Sequence, residues 1–247
     1  MAVSFDDIGY EDFRRMATDE SLSPHEKIGF PDEYRDIHET AIFADIASKL
    51  TNLLRPSQTV LDIGPGCAGL PRRMIDLCQE REHELVLVDS SEMLSHLPDV
   101  SGVIKLPGFY PDCGDGLQPW LGRFDAILCY SVFHYIFVEA NFWKFLDLSI
   151  QLLAPGGQML IGDIPNVSKR KRFFASEAGV RFHQNFMQTT EVPHVDFRAV
   201  ETNKVDDAVI VGVIMRARAE GCDAYWLPQG SALPMANRRE DILIIKP

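Results

Sequence analysis

Gly64-Pro65-Gly66-Cys67-Ala68-Gly69 sets three glycines at G-x-G-x-x-G spacing, directly after the short apolar run Thr59–Ile63. Glycines so spaced let the backbone approach a ligand closely and turn into a helix whose N-terminus faces it. Asp89 follows Gly69 by 20 residues, at the end of a second apolar run, Glu84–Asp89. A carboxylate there accepts hydrogen bonds from ribose hydroxyls, and taken alone the pattern is a dinucleotide fingerprint. Two residues point away from a pyrophosphate. Asp62 lies two positions before Gly64, at the mouth of the loop, where its charge would repel phosphate and attract an ammonium or sulfonium group. Pro65 removes an N–H donor that a phosphate would use. The residues therefore favour a cationic ligand carrying a ribose over an anionic coenzyme.

These residues need a frame that holds them, and the chain supplies an alternation of strands and helices. After Thr59–Ile63 comes a helix from Leu70 to Leu77, then Glu84–Asp89, then Val103–Leu106 and Phe124–Cys129 as strands. A helix from Phe142 to Leu153 stops at Pro155-Gly156-Gly157, and Gln158–Asp163 forms a fifth strand. Such alternation predicts a parallel sheet with helices on both faces. In the tail a helix over Val205–Ala219 precedes two strands, Cys222–Leu227 and Asp241–Lys246, with no helix between them. They predict a closing antiparallel hairpin. Residues 1–56 read as a helical extension. Ser23-Pro24-His25-Glu26 carries a helix start, with Ser as cap, Pro at the first position and Glu at the third. Ile42, Phe43, Ile46, Leu50, Leu53 and Leu54 fall on one helical face until Arg55-Pro56 breaks the helix.

The 247 residues are 46% hydrophobic, enough for one large α/β domain with a buried core. Lys and Arg number 24 against 36 Asp and Glu, a net charge of −12, so a nucleic-acid backbone is a poor partner. Five cysteines without a Cys-x-x-Cys pair argue against a disulfide framework or a zinc knuckle, and no cluster has metal-ligand spacing. The first residues lack the pattern of a signal peptide and no apolar run approaches a membrane span. The expected setting is the cytoplasm.

Val60-Leu61-Asp62-Ile63-Gly64-Pro65-Gly66 resembles the first motif of class I S-adenosylmethionine (SAM)-dependent methyltransferases. Asp89 matches their acidic residue after strand two, Phe124–Ser131 their fourth strand, and Leu152–Leu160 their turn into strand five. The resemblance runs in order over residues 57–165, with the terminal hairpin in outline. It implies a Rossmann-like sheet of seven strands, the last antiparallel, with residues 57–247 as the SAM-binding domain and a substrate-binding insertion at about 165–204. It also implies SAM as cofactor and S-adenosylhomocysteine as product. Asp62, Gly64, Pro65, Gly66, Asp89, Ser90, Tyr130 and Ser131 would line the cofactor site. Many members carry an acidic residue after strand three for the adenine. Here Gly108-Phe109-Tyr110 occupies that place, so Phe109 or Tyr110 either stacks on the ring or packs in the core.

Methyl transfer from a sulfonium needs alignment and a dry pocket, and a base where the acceptor must lose a proton. His134, after the fourth strand, is the first candidate base, or else a substrate or core contact; His183 is a second candidate. Asp163 either binds a substrate hydroxyl or caps its own loop. Lys169-Arg170-Lys171-Arg172 is either a solvated helix face or a clamp for acceptor phosphates, with Lys169 and Arg170 its leading members. Ile161–Asn166 with the segment to Phe174 is similar to methyltransferases of polysaccharide biosynthesis, which implies a sugar or nucleotide-sugar acceptor. The N-terminal helices would form a lid, with Tyr10, Phe13, Phe30 and Tyr34 walling the acceptor pocket. A homodimer is allowed for. Two other readings stay open: an NAD(P)-dependent Rossmann oxidoreductase and a non-catalytic SAM-binding protein.

Overall fold

The computed structural model describes residues 8–31 and 36–247; Tyr34, expected in the pocket wall, lies outside them. Five parallel strands form first: β1 (Thr59–Ile63), β2 (Glu84–Asp89), β3 (Val103–Pro107), β4 (Phe124–Tyr130) and β5 (Leu153–Pro165). They are followed by β6 (Asp223–Pro228) and β7 (Arg239–Ile245). The sheet order is β3-β2-β1-β4-β5-β7-β6. The two tail strands make the antiparallel hairpin that their spacing implies. β7 inserts between β5 and β6 and runs antiparallel to both. This is the seven-stranded, mostly parallel α/β fold expected from the sequence.

Alternation along the strands divides the core between two faces. Leu61 and Ile63 of β1, with Val86 and Val88 of β2, pack towards α6 (Phe133–Glu139), α7 (Phe142–Leu152) and α10 (Asp207–Ala219). Val60, Leu85 and Leu87 face the other way. They meet α3 (Glu39–Lys49), α4 (Gly69–Glu80) and α5 (Ser91–Leu94). Burying both faces explains why the strands read as continuous apolar runs rather than as alternating ones.

The N-terminal part contains α1 (Tyr10–Thr18) and α2 (Pro24–Lys27). Ser23 and Glu26 close the capping box that starts α2: Glu26 N–H donates to Ser23 Oγ at 3.1 Å, and Ser23 N–H to Glu26 Oε2 at 2.8 Å. Ile42, Ile46, Leu50 and Leu53 are buried as their spacing predicts, but Leu54 is 47% exposed. The helix ends at Lys49 and the chain tightens into a 3₁₀ turn over Thr51–Leu54, which swings Leu54 off the apolar face. Between β5 and α10 lie α8 (Val167–Phe174), α9 (Glu177–Met187) and an irregular stretch, residues 188–206. Among the described residues no helix is long and apolar enough to cross a membrane.

Candidate active site

Strand order reverses at β1, whose neighbours β2 and β4 lead off in opposite directions. Loops leaving the carboxyl ends of such strands diverge and open a crevice. A cavity lies there, lined by Gly64, Pro65 and Gly66 after β1, Asp89 at the end of β2, and Phe109 after β3. Tyr130 and Ser131 line it at the end of β4.

Gly64 and Gly66 hold φ of +68° and +67°, the left-handed region that side chains avoid. A Cβ on Gly64 would stand 2.7 Å from Val132 Cγ2, and one on Gly66 2.7 Å from Ile28 Cγ2. The glycines are thus required by the turn and by the close cover above it. Gly66 N–H donates to Asp89 Oδ2 at 2.9 Å, and Ser90 N–H to Asp89 Oδ1 at 2.7 Å. Each carboxylate oxygen keeps a lone pair for a further donor. Burial pushes the Asp89 carboxyl up to about 6, against the pull of those two amides. Ser90 is itself buried and caps α5, its Oγ accepting from Met93 N–H at 3.1 Å. It holds the turn after Asp89 and does not line the cavity.

Asp62 departs from its expected place. The sequence puts it at the mouth of the loop, but its side chain is 4% exposed and is not in the cavity wall. Strand alternation sets it on the face of Val60, opposite Leu61 and Ile63. Burial first, then the charge of Asp89, push its carboxyl up to about 8, so at neutral pH it is an uncharged acid beneath the loop. It cannot then repel a phosphate as a carboxylate at the mouth would.

Another carboxylate stands in the wall instead, and motif spacing gave no sign of it. Glu39, at the start of α3, is 4% exposed and lines the cavity. Gly69 N–H, at the first turn of α4, donates to Glu39 Oε1 at 3.1 Å, and the His25 ring meets the same oxygen at 2.9 Å. The helix N-terminus that a pyrophosphate would use already holds an anion of the chain itself.

The N-terminal helix roofs this cavity. Tyr10 packs on Phe109 with ring centroids 4.8 Å apart, and Phe13 meets Tyr135 edge-on at 5.0 Å. Tyr10 N–H donates to Glu139 Oε2 at 2.9 Å, and Arg14 pairs with Glu92 at 2.7 Å. Tyr10, Phe13 and Phe30 all line the cavity, and so does Tyr110, whose hydroxyl lies 2.8 Å from Ser149 Oγ.

His134 faces a second cavity, which shares Tyr135 and Glu139 with the first. Its ring is pushed down to about 3, first by burial and then by the charge of Arg239, so it is neutral at physiological pH. Its Nδ1 is buried and meets no hydrogen-bond partner among the described residues. Asp163, at φ +57°, accepts from Ser131 Oγ at 2.6 Å. Its own N–H donates to Asp241 Oδ1 at 2.8 Å, and Arg239 donates to its carbonyl at 2.9 Å.

The basic run is largely neutralised. Lys169 pairs with Glu240 at 3.2 Å, Arg170 with Glu201 at 2.6 Å, Lys171 with Glu201 at 3.4 Å and Arg172 with Asp207 at 2.5 Å. Arg170 alone of the four also lines the second cavity. His183 lies in α9, in a separate surface hollow with Phe174 and Pro193, and lines neither cavity.

No protein-family model and no curated protein matches the sequence. Solved structures do match the fold. The N-methyltransferase NodS of Bradyrhizobium japonicum WM9, crystallised with S-adenosylhomocysteine, superposes with a TM-score of 0.54 at 14% identity. The match covers 98% of this chain and 100% of that one. A putative S-adenosylmethionine-dependent methyltransferase of Methanococcus maripaludis gives 0.54 and 14% over 100% and 97%. A SAM-dependent methyltransferase of Aquifex aeolicus gives 0.54 and 14% over 91% and 98%. At these identities the likeness speaks for architecture, and the chain has the Rossmann-like fold of class I methyltransferases.

Proposed function

We propose that this chain is a SAM-dependent methyltransferase acting on a small-molecule acceptor. The observation that carries the reading is Glu39 on the N-terminus of α4, in the wall of the same cavity as Asp89. A dinucleotide would bring a pyrophosphate to a helix end already occupied by a carboxylate. SAM brings an ammonium, a sulfonium and a ribose, which suit two carboxylates and a glycine turn without a side chain in the way. Gly64 and Gly66 would lie under the amino-acid portion, Asp89 would accept from the ribose hydroxyls, and Phe109 with Tyr10 would flank the adenine.

When bound, SAM supplies an electrophilic methyl group on a positively charged sulfur. The chain's own contribution is exclusion of water and alignment. The aromatic roof of Tyr10, Phe13 and Phe30 covers the cavity, and Tyr130 and Ser131 fix its floor at the end of β4. His134 lines the neighbouring cavity and would be the group to take a proton from an acceptor there, as a weak base with its ring pushed down to about 3.

Calorimetry with S-adenosylhomocysteine should show binding, while NAD and NADP should not bind. Asp89→Asn, which keeps shape and loses charge, should weaken that binding about tenfold or more. Transfer of labelled methyl from SAM into a small-metabolite extract should separate an enzyme from a binding protein. A nicotinamide coenzyme that binds where S-adenosylhomocysteine does not would overturn the reading.

A further inference from the structure

Glu39 has one carboxylate oxygen that the fold uses and one that it leaves. Oε1 accepts from Gly69 N–H at 3.1 Å and meets the His25 ring at 2.9 Å. Oε2 receives no hydrogen bond from the described residues, and its ion pair with the half-exposed Arg73 is stretched to 4.0 Å. The side chain is 5% exposed and stands in the wall of the cofactor cavity. A cap on α4 needs one oxygen only. Burying a carboxylate whose second oxygen meets no donor is costly, so Oε2 calls for a donor that a ligand brings.

Gly69 is fitted to the same oxygen. A Cβ there would fall on Glu39 Oε2. Gly69 does not hold the left-handed backbone of Gly64 and Gly66, so its missing side chain serves the carboxylate and not the turn. Strand order sets the direction of the ligand. β3, β2 and β1 are neighbours in that order, and their carboxyl ends present Phe109, Asp89 and the Gly64–Gly66 turn in one row. An adenosine held by Phe109 and Asp89 sends its 5′ substituent along this row and over the glycines. The turn runs on into α4, where Glu39 shares the wall with Leu70 and Pro71.

Resting on the methyltransferase reading, we propose that Glu39 Oε2 receives the α-ammonium group of the cofactor and makes the site specific for a nucleoside that carries an amino acid. An ammonium brings N–H donors to the open lone pairs and a charge that matches the carboxylate. A sulfonium brings charge but no hydrogen to donate, and would leave Oε2 unsatisfied. Gly69 and His25 are positioning groups: they hold Oε1 and thereby aim Oε2. Asp89 and Phe109 read adenosine alone, so they do not tell the cofactor from other adenosine derivatives. Glu39 does.

Calorimetry with four ligands separates these roles. They are S-adenosylhomocysteine, SAM, the S-adenosylhomocysteine analogue with hydrogen in place of the amino group, and 5′-methylthioadenosine, which lacks the amino acid. The parent should bind S-adenosylhomocysteine about tenfold or more tightly than the deaminated analogue. Glu39→Gln keeps an oxygen for Gly69 N–H and removes the charge. It should weaken S-adenosylhomocysteine and SAM by a similar factor, about tenfold or more, and leave the other two ligands within about twofold of the parent. Binding of those two also reports a folded variant with its adenosine site intact. Glu39→Asp keeps the charge on a shorter arm and should show the same selective loss to a smaller degree; it takes the place of Glu39→Gln if that variant does not fold. Equal losses of all four ligands in a folded variant would make Glu39 a structural cap, and the inference fails. A larger loss for SAM than for S-adenosylhomocysteine would assign the carboxylate to the sulfonium and overturn it. It fails without any variant if the parent binds S-adenosylhomocysteine and the deaminated analogue alike. A parent that binds neither SAM nor S-adenosylhomocysteine would instead overturn the methyltransferase reading.

Discussion

Ser131 Oγ donates to Asp163 Oδ2 at 2.6 Å, and both residues hold left-handed backbone, with φ of +61° and +57°. They directly follow a paired position of neighbouring parallel strands, Tyr130 of β4 with Gly162 of β5. Two non-glycine residues in this region cost about 1–3 kcal/mol each, and their surroundings must fix them. Gly162 accepts from Ser131 N–H at 3.0 Å, and Asp241 from Asp163 N–H. Replacing Ser131 by Ala loses the side-chain bond and keeps the strained backbone. Replacing it by Gly loses the same bond and relieves the strain. Ser131→Gly should therefore be more stable than Ser131→Ala by about 1 kcal/mol, read from urea midpoints. The reverse order would mean that the backbone here is not strained.

Asp62 makes stability depend on pH. Its carboxyl is raised from 3.8 to about 8 in the folded chain, chiefly by burial. The folded state keeps a proton that the unfolded state releases near 3.8. Stability from this group is therefore complete below 3.8 and is lost as pH rises through 8. Asn cannot ionise. Relative to the parent, Asp62→Asn should gain stability as pH rises from 6 to 8 and be ahead by about 2 kcal/mol or more at the upper end. Denaturant unfolding at the two pH values measures this. A constant difference between the proteins would show that Asp62 is ionised throughout.

The glycine turn, Asp89 and the strand alternation were legible because each is local: a spacing of a few residues, or a run that fits one strand. The order of the tail strands was legible only as a hairpin, because nothing local says that β7 enters beside β5. Glu39 was invisible for a different reason. It reaches Gly69 across 30 residues of sequence, and as one Glu in an amphipathic helix it looks like any solvated charge. Asp62 was misplaced because the loop was read without its strand. Alternation turns that side chain under the sheet's other face rather than into the crevice. The basic run looked available because its partners Glu201, Asp207 and Glu240 lie 30 or more residues away.

Lys49 and Asp241 tie the N-terminal helices to the hairpin. Lys49 Nζ donates to Asp241 Oδ2 and to Asp45 Oδ2, both at 2.6 Å, and the Asp241 side chain is fully buried. Asp241 also accepts from Asp163 N–H and from Gln229 at 3.1 Å, so it underpins the strained end of β5. Lys49→Met would leave a buried carboxylate without its cation, at a cost of about 3–5 kcal/mol. Adding Asp241→Asn removes the stranded charge and should recover at least half of that loss. Urea unfolding of the four proteins in the cycle tests the pairing, and equal costs for Lys49→Met in both backgrounds would show that the two side chains do not interact.

Gly66 couples the cofactor turn to its roof. Its φ of +67° disfavours any side chain, and a Cβ would meet Ile28 Cγ2 at 2.7 Å. Ile28 packs with Phe13 and the buried Ala17, so a methyl group on Gly66 presses on the helix that covers the cavity. Two effects are separable. The backbone strain of about 1–2 kcal/mol remains whatever stands above the turn, whereas the clash disappears if Ile28 is shortened. Gly66→Ala should therefore weaken S-adenosylhomocysteine about tenfold or more. Ile28→Ala alone should weaken it less, and the double variant should bind more tightly than Gly66→Ala alone, without reaching the parent. Calorimetry on the four proteins reads the coupling directly. Strictly additive losses would mean that the roof does not rest on the turn, and the close cover above Gly66 would then have no part in binding.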